Sequence, residues 1–238
     1  MQCTSNTSEP VYLSVIGILT LISLALMVAA PCLAGASAPE SPQVTQDARQ
    51  LVPGVPIAGD LRPGEKHSFR ITLASGEALH LRIDACATLA TLEVFDPDYH
   101  RLFATAPGAV GSKRIFVLAE KAGEYRLEIS AFKGEDTPTG RYEVKVVAIE
   151  AATAEDRSRV AAQELEAEAA RLYEQHTPES LGEAVGKDQD ALKLWESLSD
   201  PEGQGETLAH MGNLYYYLGE KRKGLDSLKQ AAAQFVSA

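Results

Sequence analysis

The stretch HMGNLYYYLGEKRKGLDSLKQAA, residues 210–232, decides how the C-terminal third of this chain is read. Its apolar positions keep helical spacing on both sides of Gly219. Gly219 stands where a left-handed C-terminal cap closes a helix. The stretch is therefore two helices joined by a tight turn. Gly212 inside the first helix costs about 1 kcal/mol against Ala, so something must offset it. A second helix crossing too closely for a Cβ does so. The partner in reach is the helix after Gly219, which offers Gly224 and Ala231, seven residues apart. Leu208, Met211, Tyr215 and Leu228 are expected to fill the space around the small residues.

Upstream the same period continues. Ala162, Leu165, Ala169, Leu172 and Tyr173 share one helical face. Thr153 with Asp156 forms a capping-box pattern. Thr177-Pro178 and Asp200-Pro201 each place a capping side chain before a proline at the first helical position. These signals predict a connecting helix over 153–176 and antiparallel helices over 178–238, the last hairpin spanning 205–238.

Before Thr153 the period changes to two. HSFRITL, ALHLRID, TLEVFD and RIFVLAE alternate apolar and polar residues, and the clusters RPGE, ASGE and DPDY supply turns. GEYRLEI from Gly123 and GRYEVKV from Gly140 repeat one pattern. Tyr125, Leu127 and Ile129 fall on one face, as do Tyr142, Val144 and Val146. The two strands either pair or face each other across a core. About eight short strands over 51–150 predict an antiparallel β-sandwich. The fold class expected is β plus α, a sandwich followed by helical hairpins.

The totals exclude one class of partner. The chain of 238 residues carries a net charge of −11, which argues against nucleic acid. Residues 44–150 hold 15 acidic and 13 basic groups; residues 151–238 hold 16 and 9. The acidity therefore belongs to the helical part. The first 43 residues contain no Lys or Arg, and Val11–Ala30 is 20 residues without a charge. Residues 1–36 are read as a secretory leader cut near Ala34-Gly35-Ala36, or as a membrane anchor. Residues 37–50 read as a linker. Export, to the periplasm or beyond and with or without an inner-membrane anchor, is the expected localisation. A cleaved product keeps only Cys86, which reads as a small buried hydrophobe.

The helical stretch resembles a tetratricopeptide repeat. The positions that carry the resemblance are Leu208, Met211-Gly212, Tyr215, Gly219, Gly224, Leu228 and Ala231. Leu208 departs from the family's Trp, Gly224 from Ala and Leu228 from an aromatic; Val236 replaces the closing proline. Ala184 and Ala191-Leu192 stand 40 residues before Gly224 and Ala231-Ala232, as in a second, weaker repeat. The resemblance implies a peptide groove at Ala209, Asn213 and Tyr216. Packing of Tyr216 and Tyr217 against a neighbouring helix is the plainer reading. Leu225, Phe235 and Val236 leave an apolar end on which further repeats or another chain are expected to stack.

The β region, through LVPG at 51–54, GDLRPGEKHSFRITLASGEALHLRID at 59–84, VFDPD at 94–98 and AEKAGEYRLEIS at 119–130, is similar to the pre-peptidase C-terminal type of sandwich. Followed by TAEDRSRVAAQEL and HTPESLGEAVGKDQDALKLWESL, it resembles the N-terminal half of bacterial proteins that end in a CHAT, caspase-like protease domain. That resemblance implies an exported, non-catalytic interaction module, or alternatively the truncated regulatory half of such a protease. His67, His80, His100, His176 and His210 are scattered, and no Cys or His pair has ligand spacing. No catalytic, metal or cofactor residues are expected. Asp84, Asp96 and Asp98 offer oxygens that would suit Ca²⁺, although Asp-Pro-Asp in a hairpin is more often a solvated turn.

Overall fold

A computed structural model of the chain describes residues 48–105, 109–134 and 138–238. The segment read as leader or anchor and most of the linker lie outside them, as does the side chain of Cys86. No helix among the described residues is long and apolar enough to cross a membrane.

Eight strands come first: β1 (Arg49–Gln50), β2 (Ile57–Leu61), β3 (Lys66–Leu73), β4 (Glu77–Phe95), β5 (Arg101–Ala104), β6 (Ala109–Leu118), β7 (Gly123–Ala131) and β8 (Gly140–Ala151). Turn residues divide them. Gly64 in Arg62-Pro-Gly-Glu65 has φ +76, the conformation a type II turn needs at its third position.

The alternation suggests separate strands at ALHLRID and TLEVFD, but the structure runs them together as the 19-residue β4. The intervening ACATLAT has no Gly or Pro to turn the chain. The first half of β4 pairs β6 and β8; the second half pairs β5 and β7. One layer is therefore β6-β4-β8-β2 and the other β5-β4-β7-β3-β1, with β4 common to both. β7 and β8, the twin Gly-x-Tyr strands, pair opposite halves of β4 and face each other through the core. Tyr125 and Tyr142 are each 1% exposed there, among Phe69, Leu81, Ile83, Leu92, Ile115 and Ile129.

Four helices follow: α1 (Ala154–Tyr173), α2 (Pro178–Ser197), α3 (Pro201–Tyr217) and α4 (Lys221–Ser237). Their starts follow the capping chemistry. Thr153 and Asp156 form a capping box, Thr177 accepts from the Ser180 amide, and Asp200 accepts from the Gly203 amide. α1 does more than connect. It packs along α2 and lies against β6. β6 is a free edge of its layer, and the Gln163 side chain pairs with its backbone. The Phe116 N–H donates to Gln163 Oε1 (2.9 Å), and Gln163 Nε2 donates to the Phe116 carbonyl (3.1 Å). Covering an edge this way removes a template for aggregation.

Ion pairs and a histidine–carboxylate hydrogen bond hold the sheet against the helices. Arg82 pairs Glu202 (2.7 Å), Lys113 pairs Glu206 (3.0 Å), Arg114 pairs Asp200 (2.7 Å) and His80 pairs Asp156 (2.8 Å). Burial pushes the Asp200 carboxyl up, but the bonds from Arg114 and the Gly203 amide outweigh it and hold the group below the usual carboxylate range. Phe116, Ala162 and Trp195 form the apolar centre of this contact. The acidity of the helical part is thus partly a docking device.

Candidate functional site

The close helix crossing implied by Gly212 is present between α3 and α4. A Cβ built on Gly212 would lie 2.7 Å from Leu228 Cγ and 3.2 Å from the Gly224 carbonyl oxygen; one on Gly224 would lie 2.9 Å from the Gly212 carbonyl oxygen. Two further glycines in α3 leave room for rings. A Cβ on Gly203 would meet Trp195 at 2.5 Å, and one on Gly205 would meet Phe235 at 2.8 Å. Leu208, Met211 and Ala231 are buried, and Gly219 turns the chain with φ +80.

Two residues expected in the core are only partly there. Tyr215 is half-buried, its hydroxyl 3.5 Å from Gln189 Nε2, while its neighbour Leu214 is fully buried. Leu214 sits within the cluster that contains Leu181, Ala184 and Val185, and Tyr215 packs against that cluster from its partly exposed rim. Leu228 is 44% exposed, because α4 turns Gly224, Ser227 and Ala231 to α3 and leaves Leu228 at the rim.

Ala209, Asn213 and Tyr216 descend one side of α3. Ala209 lines a cleft of about 560 Å³ with Phe235, Arg82 and Lys113; Asn213 is exposed, and Tyr216 is 61% exposed. Tyr217 turns back, its ring edge-on to Tyr173 at 5.4 Å. Beside Tyr216 runs an apolar stripe of α4: Leu225, Leu228, Phe235 and Val236, exposed by 53, 44, 48 and 89%.

The two hairpins share a register. His176 and Gly219, both with positive φ, lie 43 residues apart, as do the helix starts Pro178 and Lys221. This is longer than the 40-residue spacing of the small residues. At 43, Tyr173, Val185 and Leu192 correspond to Tyr216, Leu228 and Phe235. The first three pack in the cluster that contains Met211 and Leu214 of α3. Their counterparts are exposed: Tyr216 and, from the stripe, Leu228 and Phe235, whereas Leu225 and Val236 correspond to Gly182 and Lys193.

Buried polar groups inside the helices escaped the sequence reading. Asp188 is fully buried; its Oδ2 bonds His210 Nδ1 at 2.7 Å, and Oδ1 has no partner. Burial pushes the Asp188 carboxyl up, against the His210 bond. Glu166 accepts from Trp195 Nε1 (2.9 Å) and from the Thr207 hydroxyl. Burial drives its carboxyl up to about 7, helped by Glu206 and Asp188 and opposed by the two donors. No local pattern marks either group; only the crossing of three helices does.

The Ca²⁺ reading does not gather its three residues. Asp96 and Asp98 group with His100, not with Asp84. Asp96 accepts from the amides of Asp98 (2.9 Å) and His100 (2.7 Å), and Lys121 pairs with both aspartates. That is the bonding of a capped turn whose charge Lys121 partly balances.

No protein-family model matches the sequence, and no curated protein does. Among solved structures, the pre-peptidase C-terminal domain of a Bacillus anthracis collagenase is 20% identical, covers 42% of this chain and 94% of its own, and scores a TM of 0.32. A periplasmic inhibitor of g-type lysozyme from Aeromonas hydrophila is 12% identical, covers 42% and 96%, and scores 0.26. At such scores the fold rests on the strand pairing itself.

Proposed function

We propose that the chain is a non-catalytic, exported protein-interaction module of the tetratricopeptide kind, presented by a β-sandwich. The observation that carries this is the open stripe of Tyr216, Leu225, Leu228, Phe235 and Val236 on the last hairpin. Large apolar side chains grouped on one exposed face mark interaction sites. The charge-free run Val11–Ala30 supports export.

A photo-crosslinking residue at position 225 or 236, introduced in the source cells, tests this reading. A protein adduct at these positions, and none at Gln230 on the polar side, supports it. No adduct, or equal adducts at all three, overturns it. A blot with an antibody against residues 155–238 addresses the alternative, the regulatory half of a CHAT protease. A species much larger than the encoded mass favours that alternative.

A further inference from the structure

We propose that the open face of the second hairpin takes an acidic amphipathic helix from a partner protein. This rests on the interaction reading above and adds the chemistry of the partner. The chain itself shows what shape fits these positions. Tyr173, Val185 and Leu192 pack in the cluster that seats α3, and their counterparts 43 residues on are Tyr216, Leu228 and Phe235, which are exposed. A surface that repeats a helix-binding pattern has a helix as its natural occupant.

Charge selects among helices. α4 carries four basic side chains, Lys221, Arg222, Lys223 and Lys229, and one acidic, Asp226, in a chain of net charge −11. Lys223 is held by Glu220. Lys221, Arg222 and Lys229 are exposed and make no ion pair among the described residues. At about 100° per residue they fall beside Leu225 and Val236, whereas Asp226 and Lys223 turn away. The matching positions of the first hairpin are Pro178, Glu179 and Gly186, so these cations belong to the second hairpin and not to the repeat. A two-fold pairing of α4 with a second copy would set the cations of both copies together, and like charges across an interface disfavour a partner. An acidic helix meets both the stripe and its cationic flank.

The test uses the full chain and a fluorescent synthetic peptide of residues 154–174, an acidic, Ala- and Glu-rich amphipathic helix. The control peptide has Glu164, Glu166 and Glu168 replaced by Lys. Anisotropy titration is expected to show binding of the acidic peptide and at least about tenfold weaker binding of the control. L225D/V236D should abolish binding. K221E/R222E/K229E should weaken it by about tenfold or more, and raising salt should weaken the wild-type complex. All five substituted residues are exposed, so circular dichroism should be unchanged. The proposal falls if the acidic peptide does not bind, or binds no better than the control. It also falls if charge reversal in α4 has no effect. Binding to phosphatidylglycerol vesicles instead of the peptide overturns it in favour of a membrane surface. Dimerisation lost in L225D/V236D overturns it in favour of a second copy. If crosslinks at 225 and 236 persist while the peptide is ignored, the interaction reading survives and the acidic helix does not.

Discussion

Replacing Glu166 by Gln should change the pH dependence of stability in a defined direction. The carboxyl sits between Trp195 and Thr207, where burial raises it from 4.5 to about 7. The folded chain therefore holds its proton across a range in which the unfolded chain has released it. Below about 4.5 both states are protonated and the group carries no penalty. As pH rises through about 7 the fold must accept a buried charge or lose the proton's bond, and stability falls. The gap from 4.5 to about 7, at about 1.4 kcal/mol per pH unit, gives at most about 3 kcal/mol. Gln mimics the protonated acid and still accepts from both donors. Urea denaturation followed by circular dichroism, on both proteins between pH 5 and pH 8, reads the difference. Glu166→Gln should lie closest to the wild type near pH 5 and exceed it most at pH 8, by up to about 3 kcal/mol. Other titrating groups, among them His67 and Asp188, are present in both proteins and largely cancel. A difference that stays constant with pH would refute the argument.

The remaining predictions concern packing and docking. Gly224→Ala should destabilise more than Gly212→Ala, because its Cβ meets backbone at 2.9 Å, whereas Gly212 first meets the rotatable Leu228 side chain. Overpacking of about 1–3 kcal/mol less about 1 kcal/mol of helix propensity leaves a net loss for Gly224→Ala, seen as a lower Tm. Arg114→Met should cost about 3 kcal/mol by leaving Asp200 without its partner, with the loss shrinking as pH falls below the usual carboxylate range, where the depressed Asp200 carboxyl finally takes up its proton; a pH-independent loss would count against the ion pair. Gln163→Leu strands the Phe116 N–H and C=O, which should cost about 1–3 kcal/mol and speed hydrogen exchange at the Phe116 amide more than at Ile115.

The amino-acid sequence by itself determined the local structure. Period-two alternation set the strands, Gly64 and Gly219 set turns, and Thr153, Thr177 and Asp200 set helix starts, because each depends on contacts within a few residues. The need for a close helix crossing was also legible, since an interior glycine needs a cause. Only the tertiary structure decided that ALHLRID and TLEVFD are one strand serving two layers, and that the twin tyrosine strands lie in different layers. The same holds for Gln163 closing the edge of β6, for the pairing of Arg82, Lys113 and Arg114 with α3 and its cap, and for the buried Glu166 and Asp188. These contacts join residues about 20 to 120 positions apart, and nothing in the spacing of neighbours encodes them; they exist because packed layers and crossing helices bring distant polar groups out of water, where each must find a partner.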